Sequence, residues 1–134
     1  MKVYLAAPFI DQEVTRQRRQ ELISIGIEVT SRWLDEDSSL PQEHGERFSS
    51  CAAIDLEDIN AADYFVVSGE NVSRTGGKHF ETGFAFANGK NIILFESREN
   101  VFHSLPQIRF EKNWDAAKES LVRIMEAIED VSRS

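Results

Sequence analysis

A chain of 134 residues, 41% hydrophobic, fits one domain (1–134) around one core. Its formal charge of −8 excludes a nucleic-acid polymer as partner, since binding one requires clustered Lys and Arg; a small anionic ligand needs only a few local donors. The lone Cys51 excludes an internal disulfide and suits a reducing cytoplasm, and the brief apolar run before Asp11 is too short for a signal peptide or a membrane span.

The elements alternate along the chain. Residues 2–7 read as a buried strand ending at Pro8. Residues 11–25 read as an Arg-rich helix closed by Gly26. Residues 27–33 form a second expected strand, and 34–46 a polar loop whose Ser-Ser and Pro mark it as the mobile segment. A helix over 47–60 leads into a strand over 63–68, a loop over 69–77 and a short helix over 78–88. A strand at 91–96, a loop at 97–106, a strand at 107–111 and an amphipathic helix at 114–131 complete the chain.

Near-continuous apolar strands alternating with helices indicate a parallel sheet covered on both faces. Five such strands fit a flavodoxin-like doubly wound α/β domain with order 2-1-3-4-5. Ligands then bind outside the carboxyl ends of the strands, at the switch point. The loops there are 7–11, 33–44, 68–77 and 96–106.

Two carboxylates break the apolar pattern. At about 100° per residue, Phe48, Ala52, Ile59 and Ala62 fall within about 40° of one line, and Asp55 sits near its middle. An Asp there either meets a buried donor, such as a neighbouring helix end, or faces a pocket. Glu57 and Asp58 fall on other faces and are expected to be solvated.

Glu81 lies one turn inside the helix of "TGGKHFETGFAFANGK". It either answers the helix dipole or points into a crevice. The stripe of Phe80, Phe84 and Ala87, with Gly83 and Ala85 beside it, leaves little polar surface and favours the crevice. The preceding "RTGG" lets backbone approach a ligand, with helix N–H groups facing an anion. Two carboxylates in one cleft, without metal-ligand spacing, suggest glycosidic chemistry.

Other signals are weaker. His44, His79 and His103 are too scattered for a zinc site. His79 is expected at a helix start near the cleft. Trp33 either stacks on a base or packs at a strand end. "RQRR" reads as a solvated helix face from which Arg16 or Arg19 could reach a phosphate. The "SRTGG" loop follows neither the P-loop order nor GxGxxG.

The segments "KVYLAAPF", "DLEDINAADYFVV", "GGKHFETGFAFANGKNIILF" and "ENVFHSLP" together resemble the nucleoside 2-deoxyribosyltransferase family, which includes deoxynucleoside 5'-monophosphate N-glycosidases. The resemblance runs from about residue 1 to 106. It implies that Glu81 is the nucleophile attacking C1' of the sugar, that Asp55 binds the sugar and moves a proton to or from the base, and that the Tyr4 hydroxyl positions Glu81. It implies contacts to the substrate from Pro8, Phe9, Trp33, Ser73, Thr75, Gly76, Gly77 and His79. A hydroxyl at Thr75, where relatives carry Asp or Ser, with Ser73 close by and Arg74 available, leans towards a 5'-monophosphate, which an Asp would repel.

The implied route retains configuration at C1' and uses no cofactor and no metal. The helix N-terminus and Tyr4 are expected to offset the burial of Glu81 and keep it ionised. Relatives complete their sites with a neighbouring subunit, so a homo-oligomer is expected, with a small-molecule nucleoside or nucleotide substrate and a cytoplasmic location. A receiver domain or flavodoxin does not fit "AAPF", "VVSGEN" and "PFIDQE". A catalytically silent nucleotide-binding or sensing domain of the same fold stays open.

Overall fold

In a computed structural model, which describes residues 1–37 and 46–133 (side chains of 46–48 apart), five parallel strands run in the order β2-β1-β3-β4-β5. They are β1 (Lys2–Ala6), β2 (Glu28–Val29), β3 (Tyr64–Ser68), β4 (Asn91–Phe95) and β5 (Ile108–Glu111). The three inner strands are apolar on both faces because both faces are covered: Val3, Leu5, Phe65, Val66, Ile92, Ile93 and Leu94 are all buried. The helices are α1 (Gln12–Ser24), α2 (Glu46–Ala61), α3 (Gly77–Ala87) and α4 (Trp114–Arg133). Helices α2 and α3 pack on each other, while Glu21 of α1 accepts from Trp114 and Lys118 of α4. No described helix is long and apolar enough to cross a membrane.

The switch point falls between β1 and β3, which pair from Val3↔Tyr64 to Ala6↔Val67. The expected second strand over 27–33 shrinks to two residues, and the cause is local. The Ser31 hydroxyl takes the Leu5 N–H at 2.7 Å, and the Trp33 indole N–H donates to the Leu5 carbonyl at 2.8 Å. Side chains thus replace the ladder, and the chain turns into a 3-10 helix, Arg32–Asp35. The expected mobile loop, with His44, lies largely outside the described residues.

Two glycines shape the loop after β3. A Cβ on Gly69 would lie 2.1 Å from the Ser97 carbonyl oxygen, so only glycine lets the loops after β3 and β4 run so close. Gly76 has φ of 78°, a left-handed conformation that starts α3 without a side-chain cap.

Candidate active site

At the carboxyl ends of β1 and β3 lies a cavity of about 530 Å³, open at one side. Ala7, Pro8 and Phe9 form its floor after β1; Trp33 and Glu36 come from beyond β2. Cys51, Ala52, Asp55 and Leu56 of α2 form one wall, and Ser73, Thr75, Gly77, Lys78, Phe80 and Glu81 the other. The described part of the apolar line through α2 is therefore shared between core and cleft, and the Phe48 side chain lies outside the described residues. Ile59 and Ala62 are buried in the core, whereas Ala52 and Asp55 line the cavity.

Glu81 accepts a hydrogen bond of 2.8 Å from the hydroxyl of Tyr4, which is wholly buried and stacks on Phe65. It starts the second turn of α3, past the reach of the dipole's first-turn effect. Burial pushes its carboxyl up to about 8; the Tyr4 hydrogen bond opposes this, and the charges of Asp55 and Glu36 add to it. The expected offset by helix end and Tyr4 is thus not achieved, because the enclosed site and neighbouring carboxylates outweigh one hydroxyl. Tyr4 itself is held well above the usual phenol range, first by burial and then by Glu81.

Asp55 is pushed up to about 7, chiefly by burial, then by the charges of Glu36 and Asp58, with Arg32 pulling it back. Its Oδ1 is buried without a hydrogen-bond partner. The helix-end pairing considered for Asp55 belongs instead to Asp58, three residues on. Asp58 is 4% exposed and accepts from the Arg32 backbone N–H at 2.9 Å and the Arg32 Nε at 2.8 Å. The expectation of a solvated Asp58 fails because the 3-10 helix after β2 packs on that face.

The loop between β3 and α3 is clamped from behind. Lys78, buried at 3% exposure, donates to the carbonyls of Ser68 (3.0 Å) and Asn71 (2.9 Å) and pairs with Glu99. Asn71 donates to both carboxylate oxygens of Asp11, at 2.8 and 3.0 Å. Arg18 forks onto Glu70 at 2.5 and 2.8 Å and lies over the rings of Phe95 and Trp114. Arg18 is thus buried rather than part of a solvated face. Arg16 reaches the Leu34 carbonyl and Glu13, and Arg19 reaches Asp35. At the start of α3 the Ser73 hydroxyl accepts from Gly76 N–H, the His79 and Phe80 N–H groups donate to the Gly76 carbonyl, and no side chain caps the helix, which leaves the amides of Gly77 and Lys78 to face a ligand.

The structure brings Glu81, Asp55, Pro8, Phe9, Trp33, Ser73, Thr75 and Gly77 to one cavity, with Tyr4 beneath Glu81. It does not bring His79 there. His79 sits in a second groove on the far side of α3, 3.1 Å from Glu99 and 5.6 Å from the buried His103 ring. Gly76 lies outside the cavity lining and sets the turn. Trp33 is 6% exposed with its N–H committed to Leu5, so it packs at the strand end and offers the cavity an edge.

The buried face of α3 carries Lys78, Thr82 and Ala85, while Phe80 is 68% exposed and Ala87 is exposed. The stripe is thus split: Phe80 and Ala87 face outward, whereas Phe84 is partly buried and packs against the core. Glu36, Cys51, Leu56 and Phe80 line the cavity although the sequence pattern assigns none of them to a site. For Glu36 the available signal was its place in the loop beyond β2. Among the described residues no His, Cys, Asp or Glu cluster could hold a metal.

A family model for nucleoside 2-deoxyribosyltransferases matches residues 3–127. A solved 2-deoxyribosyltransferase from the psychrotolerant bacterium Bacillus psychrosaccharolyticus is 24% identical, with TM-score 0.68, covering 86% of this chain and 88% of its own. The CMP N-glycosidase of Clostridium botulinum is 23% identical, with TM-score 0.57, covering 92% of this chain and 98% of its own. Comparison with curated proteins gave no significant match. At these identities the two structures speak for the fold, whereas the family model spans nearly the whole chain: the chain belongs to the nucleoside 2-deoxyribosyltransferase family.

Proposed function

We propose that the cleft breaks the N-glycosidic bond of 2'-deoxynucleosides or their 5'-monophosphates through a sugar ester on Glu81. The observation that carries this is one cavity holding Glu81 on the Tyr4 hydroxyl and Asp55 with an unpaired buried oxygen. Both carboxyls titrate near or above neutrality, so the pair does not carry two full charges at pH 7. Glu81, pushed up further than Asp55, holds the shared proton most of the time. The form that reacts is the minority one, with the proton on Asp55 and the Glu81 anion held by the Tyr4 hydroxyl.

Asp55 then gives its proton to a ring nitrogen of the base as the bond to C1' breaks. The bonding electrons leave with the base, and a Glu81 oxygen closes on C1'. In the second half, water or a ring nitrogen of a second base attacks C1', and Asp55 takes the proton that the attacking group loses. Glu81 leaves as carboxylate, and the two inversions restore the starting configuration. The hydroxyls of Ser73 and Thr75 and the amides of Gly77 and Lys78 at the start of α3 suit a 5'-phosphate.

The expected homo-oligomer draws support from the far side of α3. Phe86 and Phe102 are exposed in the groove there, beside exposed Val101, and sedimentation should show a species heavier than one chain.

The test is chromatography of deoxynucleosides and 5'-monophosphates incubated with the protein, with and without an acceptor base. Free or exchanged base should appear with the native chain and fall by about 10^4 or more in Glu81→Gln, which keeps the size but not the anion. Near-native turnover by a well-folded Glu81→Gln would sink the assignment. Ligand binding without any release of base would favour a silent binding domain.

A further inference from the structure

Glu36 takes no part in the chemistry above, yet it shares the cavity with Asp55 and Glu81. Its backbone is pinned on three sides. Its N–H donates to the Trp33 carbonyl at 3.2 Å, and its own carbonyl accepts from Gln12 at 2.9 Å and Arg16 at 3.3 Å. Gln12, 4% exposed, also donates to the Trp33 carbonyl, so α1 fixes the exit from the 3-10 helix. A loop residue is thereby held at a fixed place on the rim. Among the described side chains lining the cavity the one cation is Lys78, which is committed to Ser68, Asn71 and Glu99.

The groups of the cavity have an order. Ser73, Thr75 and Gly77 gather at the start of α3, Glu81 stands a turn further on, and Asp55 comes from the opposite wall on α2. A leaving base must lie on the side of the group that protonates it. There Leu56, Phe9 and the edge of Trp33 offer apolar surface for its faces, and Glu36 comes from beyond β2.

We propose that Glu36 reads the edge of the base and selects bases that present an exocyclic amino group over those that present an oxo group at the same place. The proposal rests on the glycosidic reading of the cleft. An ionised carboxylate only accepts hydrogen bonds. It pairs with the amino group of cytosine or adenine, whereas the lone pairs of an oxo group face it with no proton between them. Both acceptors then lose water without a partner. The charge of Glu36 adds to the charges of Asp55 and Glu81, and an amino donor is the ligand group that relieves it.

Binding tests this better than rate, because amino and oxo bases differ as leaving groups. Calorimetry on Glu81→Gln should compare deoxycytidine with deoxyuridine and deoxyadenosine with deoxyinosine, two pairs of nearly equal shape. We expect the amino member of each pair to bind about 5- to 150-fold more tightly. Adding Glu36→Gln, whose amide can both donate and accept, should bring each ratio to within about threefold, chiefly by improving the oxo ligand.

Equal affinities within each pair, or ratios unchanged by Glu36→Gln, overturn the proposal. So does failure of all four nucleosides to bind. An amino preference in binding, with no base released by the native chain, overturns the glycosidase reading and leaves Glu36 as the selector. Base release without an amino preference in binding does the reverse. Should the double variant fail to fold, the ratio within each pair on Glu81→Gln alone still decides.

Discussion

Glu99, behind α3, meets Lys78 and His79; Glu81, at its front, meets the Tyr4 hydroxyl and two further carboxylates across the cleft. The charges behind the cleft are matched: Arg18 with Glu70, Lys78 with Glu99, Arg32 with Asp58. In the cleft, Glu36, Asp55 and Glu81 share one cavity, and the one cation among its described lining residues, Lys78, is turned away to Glu99. Matched buried charges fix a loop in place. Unmatched ones cost folding energy and leave reactive groups poised near neutrality. The contrast separates scaffold from site within two turns of one helix.

The two sides should break in different ways. Asp55→Asn keeps the shape but cannot shuttle a proton, so activity should fall by about 10^2 to 10^4 while the melting temperature holds. Native-like rates in the folded variant would remove Asp55 from the chemistry.

Lys78→Met acts on the other side. It strands the Glu99 carboxylate and two carbonyls in the interior, and should cost about 3–5 kcal/mol in chemical denaturation. A loss below about 1 kcal/mol would mean that Glu99 finds water or another partner.

The titration of Glu81 sharpens the comparison further. A carboxyl raised from 4.5 to about 8 in the folded chain favours folding below its ordinary value. That advantage is lost as pH rises through about 8. Glu81→Gln should therefore melt a few degrees above the native chain at pH 8–9, with the difference closing towards pH 4.5. In the native chain kcat/KM should trace a bell with limbs near about 7 and about 8, values that belong to the Asp55–Glu81 pair. A profile flat from pH 5 to 9 would show that neither carboxyl titrates in that range.

The smallest effect concerns the loop. Ser73→Ala and Thr75→Ala should each raise KM for a 5'-monophosphate by about 2- to 10-fold and leave the nucleoside less affected. Equal effects on both would take the phosphate away from this loop.

What the sequence made legible follows the same division. The parallel sheet and its order could be read because uninterrupted apolar strands alternate with helices. Asp55 and Glu81 could be read because a carboxylate in an apolar line is an anomaly visible within one helix. The brevity of β2 could not, since it depends on Ser31 and Trp33 satisfying Leu5, 26 and 28 residues away. Arg18 and Asp58 were misjudged as solvated for the same reason: the partner that permits burial of Arg18 lies 52 residues on, and that of Asp58 lies 26 residues back. Glu36 and Phe80 could not be read as cavity residues because one sits in a polar loop and the other in an apolar stripe, where neither is out of place.

A covalent sugar on Glu81 is the central claim, and it can be sought directly. A 2'-fluoro arabino-configured substrate slows both displacements, since fluorine at C2' destabilises the cationic transition states. Incubation without acceptor base, followed by digestion and peptide mass spectrometry, should place the added sugar mass on the peptide containing "HFETGF". An adduct on Asp55 would exchange the two roles, and a product with inverted configuration at C1' would contradict the double displacement altogether.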